Sequence, residues 1–206
     1  GHPFSLYLKE LNQFITTRLD KLLPQREPQL ITGVIHAIRT QMTKRGKMAI
    51  VTLDDGRARA DIVIYNEILV EHSGWLKEDR LLVAKAIIGN SMNDSNELRI
   101  TAEKLYDLAH ARSQYANKIR FTINQSSVDC QLVIPKLKEL IAASLPVAKG
   151  NIVPVQSVRC PVTIRYQNQQ AKCEIELGEA WHALLSDFFI ESVSQLFKPE
   201  NVEILY

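Results

Sequence analysis

The stretch Thr43–Tyr65, TKRGKMAIVTLDDGRARADIVIY, decides how the first half of the chain is read. It holds two apolar runs, MAIVTL and DIVIY, separated by a polar segment around Asp55-Gly56. Such runs read as strands, and an Asp-Gly dipeptide between them is a strong hairpin signal. On the N-terminal side, Ile31, Gly33, Ile35 and Ala37 alternate with Thr32, Val34 and His36. This is a first β-like run, and it leads into the loop Thr43–Lys47. On the C-terminal side, NEILVEHSGWL reads as a short helix, with Asn66 able to cap it and Ile68, Leu69 and His72 on one face. Trp75 follows and is expected to plug the bottom of the sheet. Two more strands come next, RLLVAKAIIGN and ELRITAEKLYDL, joined by the polar loop SMNDSN. Three meandering strands, a short helix and two strands within 29–108 are the elements of a five-stranded OB barrel.

Working outward, Phe4, Leu8, Leu11, Ile15, Leu19 and Leu22 form an apolar stripe at helical spacing, closed by Pro24 and Pro28. The reading is an N-terminal helical linker over 1–28. Residues 109–117 form a polar connector, helical in part. The third region, 118–206, reads as strand KIRFTI, helix about 129–143, strands PVTIRYQ and AKCEIEL around an Asn168-Gln169 turn, helix about 186–197 and strand VEILY. Leu132, Leu137, Leu140 and Ile141 supply the first helix's stripe, and Phe188, Phe189, Val193 and Leu196 the second's. The βαββαβ order predicts a small ferredoxin-like, split-βαβ α+β domain with both helices on one face. The chain is therefore expected to be a two-domain β plus α/β protein. The segment KGNIVPVQSVR reads as either an extra strand or an ordered loop.

Composition narrows the function. Of 206 residues, 46% are hydrophobic and 23% charged, the balance of a soluble globular protein, which excludes a disordered tail or a collagen. The net charge of +2 gives no global basicity, so any nucleic-acid role must rest on local placement of charge. Three cysteines without a C-x-x-C spacing point to a reducing, cytoplasmic setting and away from a disulfide framework or a zinc site. No apolar run approaches the roughly 20 residues that span a bilayer, and GHPFSLYLKE lacks the pattern of a signal peptide. Phosphate-loop, nucleophile-elbow and dinucleotide motifs are absent, and the five histidines are scattered. The acid pairs Asp54-Asp55 and Asp94 near Glu97 fall in a tight turn and a polar loop, where Asp bonds its own backbone. Cys130 opens a helix without a neighbouring base and reads as a small buried cysteine. The chain itself is expected to hold no catalytic residue, no cofactor and no metal.

Charge placement is more informative. Between Glu27 and Asp54 no acidic residue occurs, while Arg39, Lys44, Arg45 and Lys47 do. Three of these cations share the loop Thr43–Lys47, which in an OB fold borders the face that holds single-stranded nucleic acid. Phosphates need cations on a reachable loop, and Gly46 allows close backbone approach. A solvated turn whose cations keep it soluble is the competing reading. Tyr65 is the single aromatic residue between Gln29 and Gly74, and the loop Ser91–Asn96 carries no cation. Contacts from Arg39, Thr43, Lys44, Arg45, Lys47 and Tyr65 should therefore give weak, sequence-tolerant, salt-sensitive binding. At the other end, Trp181 and the apolar terminus with Ile204, Leu205 and Tyr206 read as core or as a partner-docking patch.

These residues resemble the C-terminal part of the bacterial replicative DNA polymerase III alpha subunit. The similarity is carried by Gly1-His2-Pro3 with Tyr7-Leu8, Thr43-Lys44-Arg45-Gly46, Thr52-Leu53-Asp54-Asp55 and Arg57-Ala58-Arg59-Ala60. It recurs in Pro161-Val162 to Tyr166-Gln167, in Gly178 to Trp181 and in the apolar end, with Asn151–Arg159 as an insertion. The resemblance implies an OB domain near the single-stranded DNA template and a tail domain that binds the tau subunit of the clamp loader, with Trp181 and Ile204 at tail positions linked to tau. It also implies a parent DNA-directed DNA polymerase, a nucleotidyltransferase using Mg2+, whose catalytic aspartates, PHP domain and main sliding-clamp motif lie upstream. The end Val202–Tyr206 is loosely like a clamp-binding peptide but lacks the leading Gln. The alternative is an OB module of another machine, a tRNA anticodon-binding domain or a helicase wedge.

Overall fold

The computed structural model describes residues 4–91, 97–124, 130–145 and 158–206. The chain divides into two compact units, Gly1–Leu108 and Ala109–Tyr206.

In the first unit, helix α1 (Phe4–Leu11) and a 3-10 turn (Leu19–Lys21) precede strands β1 (Gln25–Thr43), β2 (Gly46–Asp54) and β3 (Arg59–Ile64). Helix α2 (Asn66–His72) and strands β4 (Leu81–Asn90) and β5 (Leu98–Tyr106) follow. The strands close a barrel in the order β1-β2-β3-β5-β4, the five-stranded OB arrangement. The 19-residue β1 pairs with β4 through its first half and with β2 through its second. A register shift between Ile35 and Ala37 lies where it passes from one partner to the other, the use to which bulges are put in curved sheets. Every second residue of β2 (Ala49, Val51, Leu53) and Ile62 and Ile64 of β3 are fully buried in the barrel. The alternation read from MAIVTL and DIVIY is this division between inside and outside.

Three local expectations are corrected. The helical stripe predicted as far as Leu22 ends at Leu11, and Leu19 and Leu22 bury instead in the barrel core. Asp55 is what holds them there. One carboxylate oxygen accepts the backbone N–H groups of Arg57 and Ala58, both at 2.9 Å, and the other accepts that of Leu19 at 3.2 Å. Second, β1 runs through Pro28, which sits inside the register shift between Gln25 and Gln29, where proline's missing donor costs no ladder bond. Third, α2 is capped by Tyr65 without a side-chain bond rather than by Asn66. Asn66 lies against Gly46 instead. Trp75 packs half-buried on the barrel core, its indole N–H donating to His72 Nδ1 at 3.2 Å.

The second unit runs α3 (Leu108–Tyr115), β6 (Lys118–Asn124), α4 (Cys130–Ser144), β7 (Val162–Gln167), β8 (Lys172–Glu176), a 3-10 turn (Glu179–Trp181), α5 (Asp187–Phe197) and β9 (Val202–Leu205). The connector expected at 109–117 folds as α3 and is fastened to this unit. Arg112 Nη1 meets Asp187 Oδ1 at 2.5 Å, and Ser113 Oγ accepts the N–H of Leu185 at 2.9 Å.

The predicted element order is present, but the ferredoxin-like pairing is not. The sheet order is β8-β7-β6-β9, with β6 and β7 directly paired and parallel. A ferredoxin-like split βαβ would insert β8 between those two strands. The residues explain the outcome: Val162, Thr163 and Ile164 of β7 are buried, whereas all five residues of β8, KCEIE, are exposed. Val162 and Ile164 pack into the tail core, to which β8 contributes nothing, and the charged, fully exposed β8 takes the edge. Of the expected helix stripes, Leu137, Ile141, Phe189 and Val193 are buried and Leu140 and Leu196 pack against the core, while one residue of each stripe departs. Val133, Leu137 and Ile141 bury on α4, and Phe189, Val193 and Phe197 on α5. Leu132 (72% exposed) and Phe188 (61%), expected inside, face out. Phe121 and Phe197 stack at 4.6 Å between ring centroids in the tail core. Most of 149–159, read as strand or loop, lies outside the described residues, as does most of the loop 91–96.

Candidate nucleic-acid interface

The turn joining β1 to β2 pairs Thr43 with Gly46. Gly46 has φ +104, a conformation that Lys44 and Arg45 do not adopt, so the glycine supplies the left-handed step that closes the hairpin. Thr43 Oγ1 donates to the Gly46 carbonyl at 2.7 Å and accepts the Arg45 N–H at 3.2 Å. Thr43, predicted as a contact, thus spends its hydroxyl on the turn and positions the cations beside it. Lys44, Arg45 and Lys47 are exposed, and among the described residues none of them is ion-paired. A Cβ added at Gly46 would meet Asn66 at 3.2–3.4 Å, so the close approach that Gly46 permits is to the start of α2. It brings the basic turn alongside Tyr65.

The fourth cation, Arg39, stands differently. Its guanidinium meets Asp61 Oδ2 at 2.8 Å, and Asp61 also accepts the Thr52 hydroxyl at 2.5 Å. The acid-free stretch in sequence is therefore not acid-free in space: β3 returns Asp61 across β2 to Arg39. Three predicted cations stay unpaired and one is offset.

Sequence reasoning missed the surface beside the turn. The register aligns Arg39, Ile50, Val63 and Thr101 in one row across β1, β2, β3 and β5. Ile50 and Val63 alternate with fully buried residues and are half-buried on the outer face. Met48 joins them, with Gln41 Nε2 at 3.7 Å from its sulfur. Met48, Ile50 and Val63 thus form an apolar patch on the outer face beside the basic turn. Its edge carries a residue the sequence did not single out: Arg99 of β5 places Nη2 at 2.6 Å from the Tyr65 hydroxyl. The available signal was the alternation LRITA in β5, where Arg99 and Thr101 point opposite to the buried Ile100 and Ala102.

The predicted acid pair serves structure. Asp54 accepts the Gly56 N–H at 2.8 Å and pairs with Arg59 at 2.8 Å, while Asp55 is buried on three backbone amides. Among the described residues, no three His, Cys, Asp or Glu side chains group as metal ligands, and no helix is long and apolar enough to cross a membrane. Cys160 is buried, and burial pushes its thiol up to about 12. The Cys130 side chain and Asp94 lie outside the described residues.

In the tail unit, Trp181, Ile204 and Tyr206 are half-buried against one core, and Leu205 is half-buried on β9, its carbonyl accepting the Asn117 N–H at 2.7 Å. Ile204 pairs with Ile119 of β6. Leu205, paired with Lys118, lies on the opposite sheet face from Ile204; there Glu174 gathers Lys118, Arg120 and Arg165, and Arg120 also reaches Glu203 at 2.5 Å. The hydrogen bond from Lys118 is the main reason the Glu174 carboxyl is pulled down to about 2, with Arg165 adding to it.

Residues 30–108 match the family of OB-fold nucleic acid binding domains of the tRNA anti-codon type. Over 208 residues the chain is 31% identical to the DNA polymerase III subunit alpha of Vibrio cholerae, covering 99% of this chain and 17% of that one. It is 29% identical over 209 residues to the same subunit of Escherichia coli K12, with the same coverage. The chain is also similar to a mitochondrial single-stranded DNA binding protein from S. cerevisiae at 13% identity, covering 39% of this chain and 94% of that one with a TM-score of 0.35. The chain thus spans about one-sixth of the length of the curated relatives it matches. Along 99% of its length, it is similar to the bacterial DNA polymerase III alpha subunit, the resemblance its motifs carry.

Proposed function

We propose that the barrel unit holds single-stranded template DNA weakly and without sequence preference, as an auxiliary, non-catalytic part of a replicative polymerase. The observation that carries this is the β1–β2 turn: Lys44, Arg45 and Lys47 stand unpaired at the rim of an outward face floored by Met48, Ile50 and Val63. Cations at the rim bind phosphates, and Tyr65 offers one aromatic face that tolerates any base. The whole-length similarity to the polymerase subunit makes DNA replication the setting. The tail unit, in this reading, docks the tau subunit of the clamp loader through Trp181 and the terminal Ile204, Leu205 and Tyr206, in the cytoplasm. A sliding-clamp contact by the C-terminal residues ranks below it. The adjacent acids Asp54 and Asp55 are committed to backbone amides and Arg59, so this pair does not suit the two-metal chemistry of the parent enzyme.

Each phosphate contact on a single strand contributes about 0.7 to the slope of log K against log salt. Replacing Lys44, Arg45 and Lys47 by alanine should weaken oligo-dT binding and flatten that slope by roughly two units. Unchanged affinity and slope in a folded variant would remove the turn from the binding surface. A tRNA anticodon-binding role is the second reading, favoured by the description of the matched domain family. Tighter binding of oligo-rU than of oligo-dT would support it over the DNA reading.

A further inference from the structure

The basic turn is not the whole phosphate-binding apparatus of the barrel. We propose that Arg99 is a phosphate clamp for single-stranded nucleic acid, held ready by the Tyr65 hydroxyl. This rests on the reading of the outer face as a nucleic-acid interface and adds a residue and a mechanism to it.

Arg99 is exposed on β5, and its Nη2 donates to Tyr65 Oη at 2.6 Å across the barrel closure. An arginine presents five N–H donors in a planar fork. One bond to Tyr65 leaves four, and among the described residues no carboxylate lies within ion-pairing distance of this guanidinium. Arg39 and Arg59 on the same unit are each held by an acid, Asp61 and Asp54. Arg99 is instead oriented by a neutral oxygen, so its charge is fixed in place and, among the described residues, is not cancelled by an ion pair. A free arginine loses rotamer entropy when it binds, and one already pinned loses less. A fork held this way suits a phosphate, which it can grip through two parallel N–H bonds.

Position supports the assignment. Tyr65 directly follows β3 and precedes Asn66, and Asn66 lies against Gly46 of the basic turn. The clamp and the turn therefore flank the end of β3, with Tyr65 between them. A strand whose phosphates meet Lys44, Arg45 or Lys47 has Arg99 beyond the tyrosine for a neighbouring phosphate. The Tyr65 hydroxyl accepts from Arg99, and its own proton stays available for the same ligand.

The test is a double-mutant cycle on the whole chain, read by anisotropy with oligo-dT and with an abasic oligonucleotide of equal length. Arg99→Ala should weaken oligo-dT binding about tenfold, which corresponds to ~1.4 kcal/mol. It should also flatten the salt slope by about 0.7. The same factor should appear on the abasic strand, because the contact is to phosphate. Tyr65→Phe keeps the ring and removes the pin, so affinity should fall a few-fold with the slope intact, and the change should vanish in the Arg99→Ala background. An unchanged slope in Arg99→Ala, or equal effects of Tyr65→Phe in both backgrounds, would overturn the clamp while leaving the turn's role standing. Loss confined to oligo-dT would also overturn it, in favour of a base contact. Failure of the unaltered chain to bind either oligonucleotide would sink the interface reading itself. Circular dichroism confirms that each variant is folded before its affinity is counted.

Discussion

Replacing Asp55 should destabilise the barrel in a way that replacing its neighbour Asp54 does not. Asp55 is 5% exposed, and its side chain accepts three backbone N–H groups, from Leu19, Arg57 and Ala58. The two amides in the turn lie near water, and losing their acceptor resembles losing a helix cap, about 1 kcal/mol. The Leu19 amide is buried, and stranding it costs roughly 2 kcal/mol more. Asp55→Ala should therefore cost about 3 kcal/mol. Asp55→Asn keeps one oxygen for the turn but sets an NH2 against the Leu19 N–H, so about 2 kcal/mol is expected. Asp54→Ala removes a partly exposed turn bond and a surface ion pair, worth about 1 kcal/mol or less. Urea unfolding followed by fluorescence in a Trp181→Phe background isolates the barrel, since Trp75 is then the remaining tryptophan. If Asp55→Ala costs no more than Asp54→Ala, the carboxylate does not clamp the Leu19 segment to the hairpin, and the account of why α1 stops short of Leu22 fails with it.

Acid should loosen the tail unit through Glu174. Its carboxyl titrates near 2 in the folded chain, below its ordinary value, so the stability it contributes is complete above the ordinary carboxylate range and is lost as pH falls through about 2. The urea midpoint of the tail should fall between about pH 4.5 and pH 2, and Glu174→Gln should reduce that dependence; an identical pH profile for both proteins would exclude Glu174 as its source. For the proposed tau contact, Trp181→Ala and Ile204→Gln should weaken capture of the clamp-loader subunit while leaving oligo-dT binding as it was. Truncating a tryptophan that serves only the core costs about 3–5 kcal/mol. A collapse of the tail's melting transition in Trp181→Ala would place that residue in the core and move the docking surface to the exposed Phe188 side of α5.

Much of the barrel was legible in the sequence because its signals are local. Alternation in MAIVTL and DIVIY sorts each residue to a face within a single strand, and Asp55-Gly56 forces the turn between them. The polar, exposed turn Lys44-Arg45 was legible for the same reason, since no other residue is needed to make a hairpin tip basic. The tail's strands and helices were also recognisable one by one. What the sequence left open lies between elements. Helix phase turns by about 100° per residue, so an apolar pair such as Leu132-Val133 or Phe188-Phe189 does not say which member faces in; the packing of α4 and α5 chose Val133 and Phe189. Element order likewise allows β7 or β8 beside β6, and the packing of Val162 and Ile164 into the tail core decided it. Barrel closure decided the interface in the same way. The acid that offsets Arg39 lies 22 residues away, and the tyrosine that orients Arg99 lies 34 away. A sequence determines which residues a strand offers, but contacts over such separations depend on register and on closing the sheet, so which charges remain free for a ligand was settled only when the chain folded.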